Sequence, residues 1–101
     1  MGDVMKPVKR IEIIIDSLDL NPCLKELEKM GITGYTVIRD VIGSGDRGAR
    51  IGDMLNDTMK NSYILIACEP EQVSTVTEAL RPKLKRFGGI CLISDAQWLK
   101  H

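Results

Sequence analysis

The sequence is poor in the residues from which most catalytic and metal sites are built. Its 101 residues include a single histidine, His101, and only 4% aromatic residues. The three cysteines, Cys23, Cys68 and Cys91, are far apart and form no CxxC pair, which disfavours a disulfide framework or a zinc site. No GxSxG motif or Walker GK[ST] ending is present. We therefore predict no catalytic residues, no metal-ligating residues and no efficient enzyme.

Net charge and long apolar runs are also missing. Lysine plus arginine number 14 and aspartate plus glutamate number 14, so the formal net charge is zero. Such a chain has no overall field that would attract nucleic acid or a membrane surface. The early apolar run at residues 11–15 is too short for a signal peptide or a membrane span. We expect a cytoplasmic protein without membrane insertion, whose cysteines are small core residues.

What the sequence does contain is a regular succession of strand and helix patterns in one domain, residues 1–101. β-branched runs predict four strands, and apolar residues at helical spacing predict two helices. The predicted elements are a loose arm at residues 1–7, strands at 8–15, 35–41, 62–68 and 90–93, helices at 22–30 and from 69 to the glycines 88 and 89, and a short tail at 96–101. This β-α-β-β-α-β order predicts an α+β, ferredoxin-like fold, with a four-stranded antiparallel sheet and two helices on one face.

Local signals refine the two helices. Asn21 and Pro22 are predicted to be the N-cap and the first residue of the first helix, and Gly31 is predicted to be the glycine that ends it. Pro82 lacks a backbone N–H, so the second helix is expected to kink or break near Arg81.

The second face of the sheet is expected to be apolar although no helix remains to cover it. The third and fourth strands are apolar in both registers, and Glu12 alone interrupts the apolar run at residues 11–15 of the first strand. A symmetric oligomer that packs sheet against sheet would bury this face. The alternative is that the loop at residues 42–60 folds over the sheet, which its many glycines and charges disfavour.

Two clusters of glycine and cationic residues are candidate anion sites. Glycines allow a concave nest of backbone N–H donors, and arginine binds phosphate or carboxylate with two hydrogen bonds. The alternatives are a hairpin loop with solvated charges and the charged end of a helix. The clusters consist of Gly43, Ser44, Gly45, Arg47 and Arg50 in the long loop, and Lys85, Arg86, Phe87, Gly88 and Gly89 before the fourth strand.

These segments resemble PII-like signalling proteins, of the branch associated with bicarbonate transport and carboxysomes (CPII- and SbtB-like proteins). The resemblance extends over nearly the whole chain. It rests on Gly34-Tyr35-Thr36-Val37, on Gly43-Ser44-Gly45-Asp46-Arg47-Gly48, and on Gly88-Gly89-Ile90-Cys91-Leu92-Ile93-Ser94-Asp95-Ala96.

The resemblance implies a homotrimer that binds adenine nucleotides in clefts between subunits. Residues 42–60 would be the T-loop, which docks on a partner such as a bicarbonate transporter or a carboxysome-related protein, and residues 85–89 would be the phosphate-binding B-loop. Gly89 stands where many PII proteins have a lysine, and Lys100 where they have an arginine. ADP or AMP is therefore expected in preference to ATP or cyclic AMP, with bicarbonate as a further ligand.

The residues implied to bind nucleotide are Gly34, Tyr35, Thr36, Gly43, Ser44, Gly45, Arg47, Lys85, Arg86, Phe87, Gly88, Gly89 and Lys100; those implied to bind bicarbonate or another anion are Gly45, Arg47 and Arg50. The expected function is a non-enzymatic sensor in which ligand changes the order of residues 42–60, which are predicted to be poorly ordered without it. A weak nucleotide-hydrolysing enzyme and a structural or metal-handling trimer of similar fold remain alternatives. A nucleic-acid-binding domain is disfavoured by the zero net charge and the lack of exposed aromatic strand pairs.

Overall fold

Four strands and two helices follow one another in the expected β-α-β-β-α-β order. The computed structural model describes residues 4–42 and 60–101, with only the backbone of Phe87. The elements are β1 (Met5–Asp16), α1 (Leu20–Lys29), β2 (Thr36–Val41), β3 (Asn61–Cys68), α2 (Val73–Phe87) and β4 (Ile90–Leu99), with short 3-10 turns at Ser17–Asp19 and Pro70–Gln72. The α+β, ferredoxin-like prediction is confirmed.

The four strands form one antiparallel sheet in the order β2-β3-β1-β4. β1 is central and pairs with β3 on one side and with β4 on the other. Its run of isoleucines suits this position, because β-branched side chains pack well between two neighbouring strands. β2 and β4 are consequently the two edge strands.

Alternate residues of β1 separate the two faces of the sheet. Ile11, Ile13 and Ile15 are buried on one face, together with Ile64 and Ile66 of β3. The helix residues that complete this core are Leu20, Cys23 and Leu27 of α1 and Val76 and Leu80 of α2. Both helices therefore cover the same face of the sheet, as predicted. Burial of each of these aliphatic side chains stabilises the folded state by about 1.5–3 kcal/mol.

Residues 5–7 and 96–99 are part of the sheet, so the predictions of a loose arm and a short tail are wrong for these residues. Met5 pairs with Leu99, and Lys6 pairs with Trp98. Beyond the last pair, the backbone N–H of Lys100 donates to the carbonyl of Val4 at 2.7 Å. Each terminal segment satisfies the backbone hydrogen bonds of the other, a long-range pairing that local sequence patterns do not reveal.

The first helix begins earlier than predicted. The Asp16 carboxylate accepts a hydrogen bond at 2.8 Å from a backbone N–H two residues later, which starts a 3-10 turn that leads into α1. Asn21 and Pro22 therefore lie inside the first turn of α1 and are not its N-cap and first residue. At the other end, Gly31 has a φ of +86°, which confirms its predicted role in ending the helix.

The second helix continues through Pro82, so the break expected near Arg81 does not occur. Pro82 is exposed, whereas the apolar stripe that includes Val76 and Leu80 is buried against the sheet. Packing of this stripe compensates for the one backbone hydrogen bond that the proline removes.

A β-bulge interrupts β2 just before residue 43. Ile38 pairs with Tyr63 and Val41 pairs with Asn61, so β2 contains one residue more than β3 between these pairs. Asp40 adopts a φ of +61° there, a conformation that aspartate tolerates better than most residues. The bulge bends the edge strand where the chain leaves the sheet.

Gly89 should tolerate a side chain much less well than Gly34. A Cβ atom at this position would lie 2.9 Å from the Ile15 side chain and 3.0 Å from the Ile14 carbonyl oxygen. The φ of Gly89 is +131°, which L-residues rarely adopt. Gly89→Ala should therefore lower the free energy of unfolding by about 1–3 kcal/mol. Gly34→Ala is the control, since nothing lies within 4 Å of its added Cβ; it should change stability by less than about 0.5 kcal/mol. If denaturant unfolding shows that both variants lose the same free energy of unfolding, the close packing around Gly89 is contradicted.

Candidate functional site

The candidate residues of the long loop lie outside the described part of the chain. These are Gly43, Ser44, Gly45, Arg47 and Arg50, and the predicted ligand-dependent ordering of residues 42–60 falls largely on the same segment. The remaining candidates lie in three separate places: the turn between α2 and β4, the start of β2, and the end of β4.

The turn between α2 and β4 carries the cations and glycines of the second cluster. Lys85 and Arg86 are exposed in the last turn of α2, where their charge also favours the negative end of the helix dipole. Gly88 has a φ of +80°, and its N–H donates to the carbonyl of Leu84 at 2.7 Å. With Gly89 also at positive φ, the chain turns from the helix directly into β4. The cationic side chains are thereby held beside a turn that only glycines allow.

The start of β2 presents Thr36 and Tyr35 to opposite faces of the sheet. Thr36 pairs with Leu65 and is exposed on the face that the helices leave uncovered. Tyr35 packs against the core on the helix side, and its hydroxyl donates to Glu28 of α1 at 2.9 Å. Gly34 is exposed just before the strand. Of these candidates, Thr36 is therefore the side chain available to a ligand on the uncovered face.

The face of the sheet that the helices do not cover, called the open face below, is largely apolar. Ile38, Ile90 and Leu92 are each more than half exposed there, and Leu92 is 56% exposed. Ile14 and Leu65 lie between them and are partly buried. The prediction of an apolar second face is confirmed.

A polar network crosses the centre of the open face. The Tyr63 hydroxyl donates to the Glu12 carboxylate at 2.6 Å, and Arg10 Nε lies 3.6 Å from the same carboxylate. Arg10 Nε also donates to the Ser94 hydroxyl at 3.1 Å. The sequence identified Glu12 only as an interruption of an apolar strand. The period-2 spacing of Arg10 and Glu12 was the signal that could have revealed the network.

One cavity lies on this face, and a second lies at the opposite end of the sheet. The loop-end cavity, of about 480 Å³, is lined by Ile14, Ile38, Val41, Ile42, Asn61 and Tyr63. The far-end cavity, of about 620 Å³, is lined by Lys6, Val8, Ala67, Cys68, Glu69, Gln72, Trp98 and Lys100. Sequence analysis missed the far-end cavity, apart from Lys100, because it assigned residues 96–101 to a tail instead of a strand.

Within residues 4–42 and 60–101, the candidate residues of one chain do not converge on a single point. Gly89 and Lys100 flank the ten residues of β4, so they lie roughly 36 Å apart at about 3.3 Å per residue. Thr36 lies on the opposite edge strand from Gly89, across three strand spacings or about 14 Å. The end of β2 and the turn before β4 do share one end of the sheet, but at opposite edges.

The cysteines have no sign of chemical reactivity. Burial raises the pKa of the Cys23 thiol to about 11, and burial also raises the pKa values of Cys68 and Cys91. All three pack in or against the core, as predicted. Within residues 4–42 and 60–101, no three His, Cys, Asp or Glu side chains are grouped so that they could hold a metal ion. Neither helix of this part of the chain is long and apolar enough to cross a membrane.

The chain matches one family model and several solved structures. The family model described as nitrogen regulatory protein P-II matches residues 8–101. A comparison with curated protein sequences finds no match. Among solved structures, CPII from Thiomonas intermedia K12, a nitrogen regulatory PII-like protein bound to ADP, AMP and bicarbonate, has a TM-score of 0.81 at 23% identity, covering 96% of this chain and 98% of that chain.

Two further structures show the same fold. CPII from the same organism bound to ADP and bicarbonate has a TM-score of 0.79 at 26% identity, covering 95% of this chain and 92% of that chain. A PII-like signalling protein from Thermus thermophilus has a TM-score of 0.75 at 19% identity, covering 96% of this chain and 94% of that chain.

The two tyrosines provide a test of the site geometry. The hydrogen bond to Glu12 raises the pKa of Tyr63, and the hydrogen bond to Glu28 raises the pKa of Tyr35. In a spectrophotometric titration, both should ionise above the usual value of about 10. Glu12→Gln should lower the titration midpoint of Tyr63 and leave that of Tyr35 unchanged. Glu28→Gln should lower the titration midpoint of Tyr35 and leave that of Tyr63 unchanged. A Glu12→Gln protein whose titration curve matches that of the parent would show that the network on the open face does not form.

Proposed function

Because the chain belongs to the nitrogen regulatory protein P-II family, and is thus a PII-like regulator, we propose that it senses adenine nucleotides in clefts between the subunits of a homotrimer. Proteins of this family form homotrimers and bind nucleotides. ADP and AMP are the ligands proposed for this chain, with bicarbonate as a second ligand. The protein acts as a cytoplasmic sensor and not as an enzyme.

The observation that carries this proposal is the separation of the candidate residues within one chain. Lys85 and Gly89 lie at one end of β4, and Lys100 lies roughly 36 Å from Gly89 at the other. No single ligand of nucleotide size can contact both. A head-to-tail ring, however, brings different surfaces of neighbouring chains together. In such a ring, the loop end of one chain and the far end of the next form one composite cleft.

The open face supports assembly into such a ring. Ile38, Ile90 and Leu92 expose apolar surface that a stable monomer rarely leaves in contact with water. The Tyr63–Glu12 hydrogen bond lies among them, so the polar groups at the centre of this face are already paired. Burial against other copies then adds apolar contacts without stranding those groups.

The ligand proposal follows from the charges that the chain offers. Lys85, Arg86 and Lys100 supply cations at the two halves of the cleft, and Gly89 leaves the turn without a further lysine. A diphosphate or monophosphate suits this charge better than a triphosphate. CPII from Thiomonas intermedia K12, with which the chain shares its fold, is itself described as bound to ADP, AMP and bicarbonate. We assign the anion contacts of the loop to Gly43, Ser44, Gly45, Arg47 and Arg50. Of these, Gly45, Arg47 and Arg50 are proposed to bind bicarbonate.

The signalling part of the proposal concerns residues 42–60. Arginines 47 and 50 can bind an anionic ligand only in one arrangement of this segment, so ligand favours that arrangement by its differential affinity. The segment then docks on a partner of inorganic-carbon uptake or of the carboxysome.

Sedimentation should show a species of three chains at micromolar concentration. Leu92→Glu, on the open face, should shift this species to monomer, because three carboxylates would be buried in an apolar contact. Leu18→Glu is the control: Leu18 is 83% exposed in the 3-10 turn before α1, away from the open face. A parent protein that sediments as a monomer would contradict the trimer.

Calorimetric titration should detect binding of ADP or AMP, and comparison with ATP, cyclic AMP and bicarbonate would establish the ligand preference. Lys85→Glu and Lys100→Glu should each weaken ADP binding at least 10-fold, because each replaces an attraction for phosphate with a repulsion.

Co-expression of these two variants tests the composite cleft directly. Each mixed trimer has one cleft in three that combines an intact loop end with an intact far end, so about one quarter of all clefts are intact if chains assemble at random. ADP binding with parental affinity should therefore return at about a quarter of the sites. If mixed trimers form and no sites recover, the cleft is not shared between chains.

A further inference from the structure

The far-end cavity contains the only tryptophan of the chain beside a lysine without an ionic partner. Trp98 is 51% exposed at the cavity wall. Lys6 and Glu69 pair with each other there, which cancels one positive and one negative charge. Within the described ranges, Lys100 makes no ion pair. The cavity therefore offers a flat aromatic ring together with one net positive charge.

The backbones of both residues are held by the sheet. Trp98 pairs with Lys6 across β1 and β4, and the backbone of Lys100 is fixed by its hydrogen bond to Val4 at 2.7 Å. The two residues are two positions apart and line the same cavity, so their Cα atoms are separated by about 7 Å along the strand. The neighbouring side chains Val8 and Ala67 are short, which leaves space against the ring.

This combination suits a nucleotide better than either a simple anion or an apolar group. A planar base stacks on an aromatic side chain, and a phosphate binds a nearby ammonium group. Glu69 would repel a phosphate, but Lys6 neutralises it. A volume of about 620 Å³ falls within the usual range of small-molecule sites.

We propose that Trp98 is the residue on which the base of the bound nucleotide stacks, while Lys100 contacts its phosphates. The inference rests on the proposed function and adds a binding residue to it. Stacking tolerates every base, so Trp98 would strengthen the binding of ADP and GDP alike. Discrimination between bases must then come from other residues of the cleft.

Intrinsic fluorescence tests the proposal on the unmodified protein, because Trp98 is the only tryptophan. Titration with ADP should change the tryptophan emission with the same midpoint that calorimetry gives for binding. Pyrophosphate, which has no base, should compete with ADP and reverse that change.

Substitution provides the second arm of the test. Trp98→Leu should weaken ADP and GDP binding by a similar factor, on the order of 10- to 100-fold. Trp98→Phe is the matched control, which keeps a ring and should retain most of the affinity. Sedimentation of each variant checks that assembly is unchanged. If the leucine variant does not assemble, the fluorescence titration of the parent protein and the ADP affinity of the phenylalanine variant test the stacking role of Trp98.

Failure of this inference is distinguishable from failure of the proposed function. If calorimetry detects ADP binding but the emission of Trp98 does not change, or the assembled leucine variant binds ADP like the parent, Trp98 is not the stacking residue although the sensor proposal stands. A tryptophan buried by a neighbouring chain would give this result. If calorimetry detects no nucleotide, both proposals are wrong.

Discussion

One constraint governs this structure: its sheet has two apolar faces, and its two helices cover only one of them. The isoleucines at odd positions of β1 are buried under α1 and α2, whereas Leu92 and its neighbours on the other face remain exposed. Apolar surface of this kind requires a partner. The proposed trimer, the composite cleft and the shared ligand all depend on that requirement, since a single chain cannot assemble the candidate residues.

The polar network of Arg10, Glu12, Tyr63 and Ser94 modifies this constraint. Four polar side chains lie among the apolar residues of the open face, each hydrogen-bonded within the chain. Side chains that are hydrogen-bonded to one another tolerate few alternative arrangements. The network therefore suits a face that packs in one defined register better than a face that associates non-specifically.

The fold could be predicted from sequence because its signals are local and repeated. Alternating isoleucines define β1, helical stripes define α1 and α2, and Gly31 ends the first helix. The errors have a common physical cause. The pairing of residues 5–7 with the end of β4, and the passage of α2 through Pro82, depend on partners distant in the sequence or on buried packing, neither of which a local pattern contains.

The candidate site was less predictable. Lys85, Arg86 and Lys100 were identified by residue type and resemblance, but their distance from one another becomes visible only in the folded sheet. Trp98 lies in a part of β4 for which the local pattern predicts a tail, so the sequence does not place it beside the sheet. Tyr35 was grouped with Thr36, although neighbouring residues on a strand face opposite sides of the sheet.

The hydrogen bond between Lys100 and Val4 also brings the two ends of the described chain side by side. A short linker could join these two positions across a few ångströms without disturbing any strand, and new ends could be opened between β2 and β3. The resulting circular permutant would keep the order β2-β3-β1-β4 while changing only the order in which the strands are synthesised. The strand order of this sheet thus does not require the polypeptide to begin at β1.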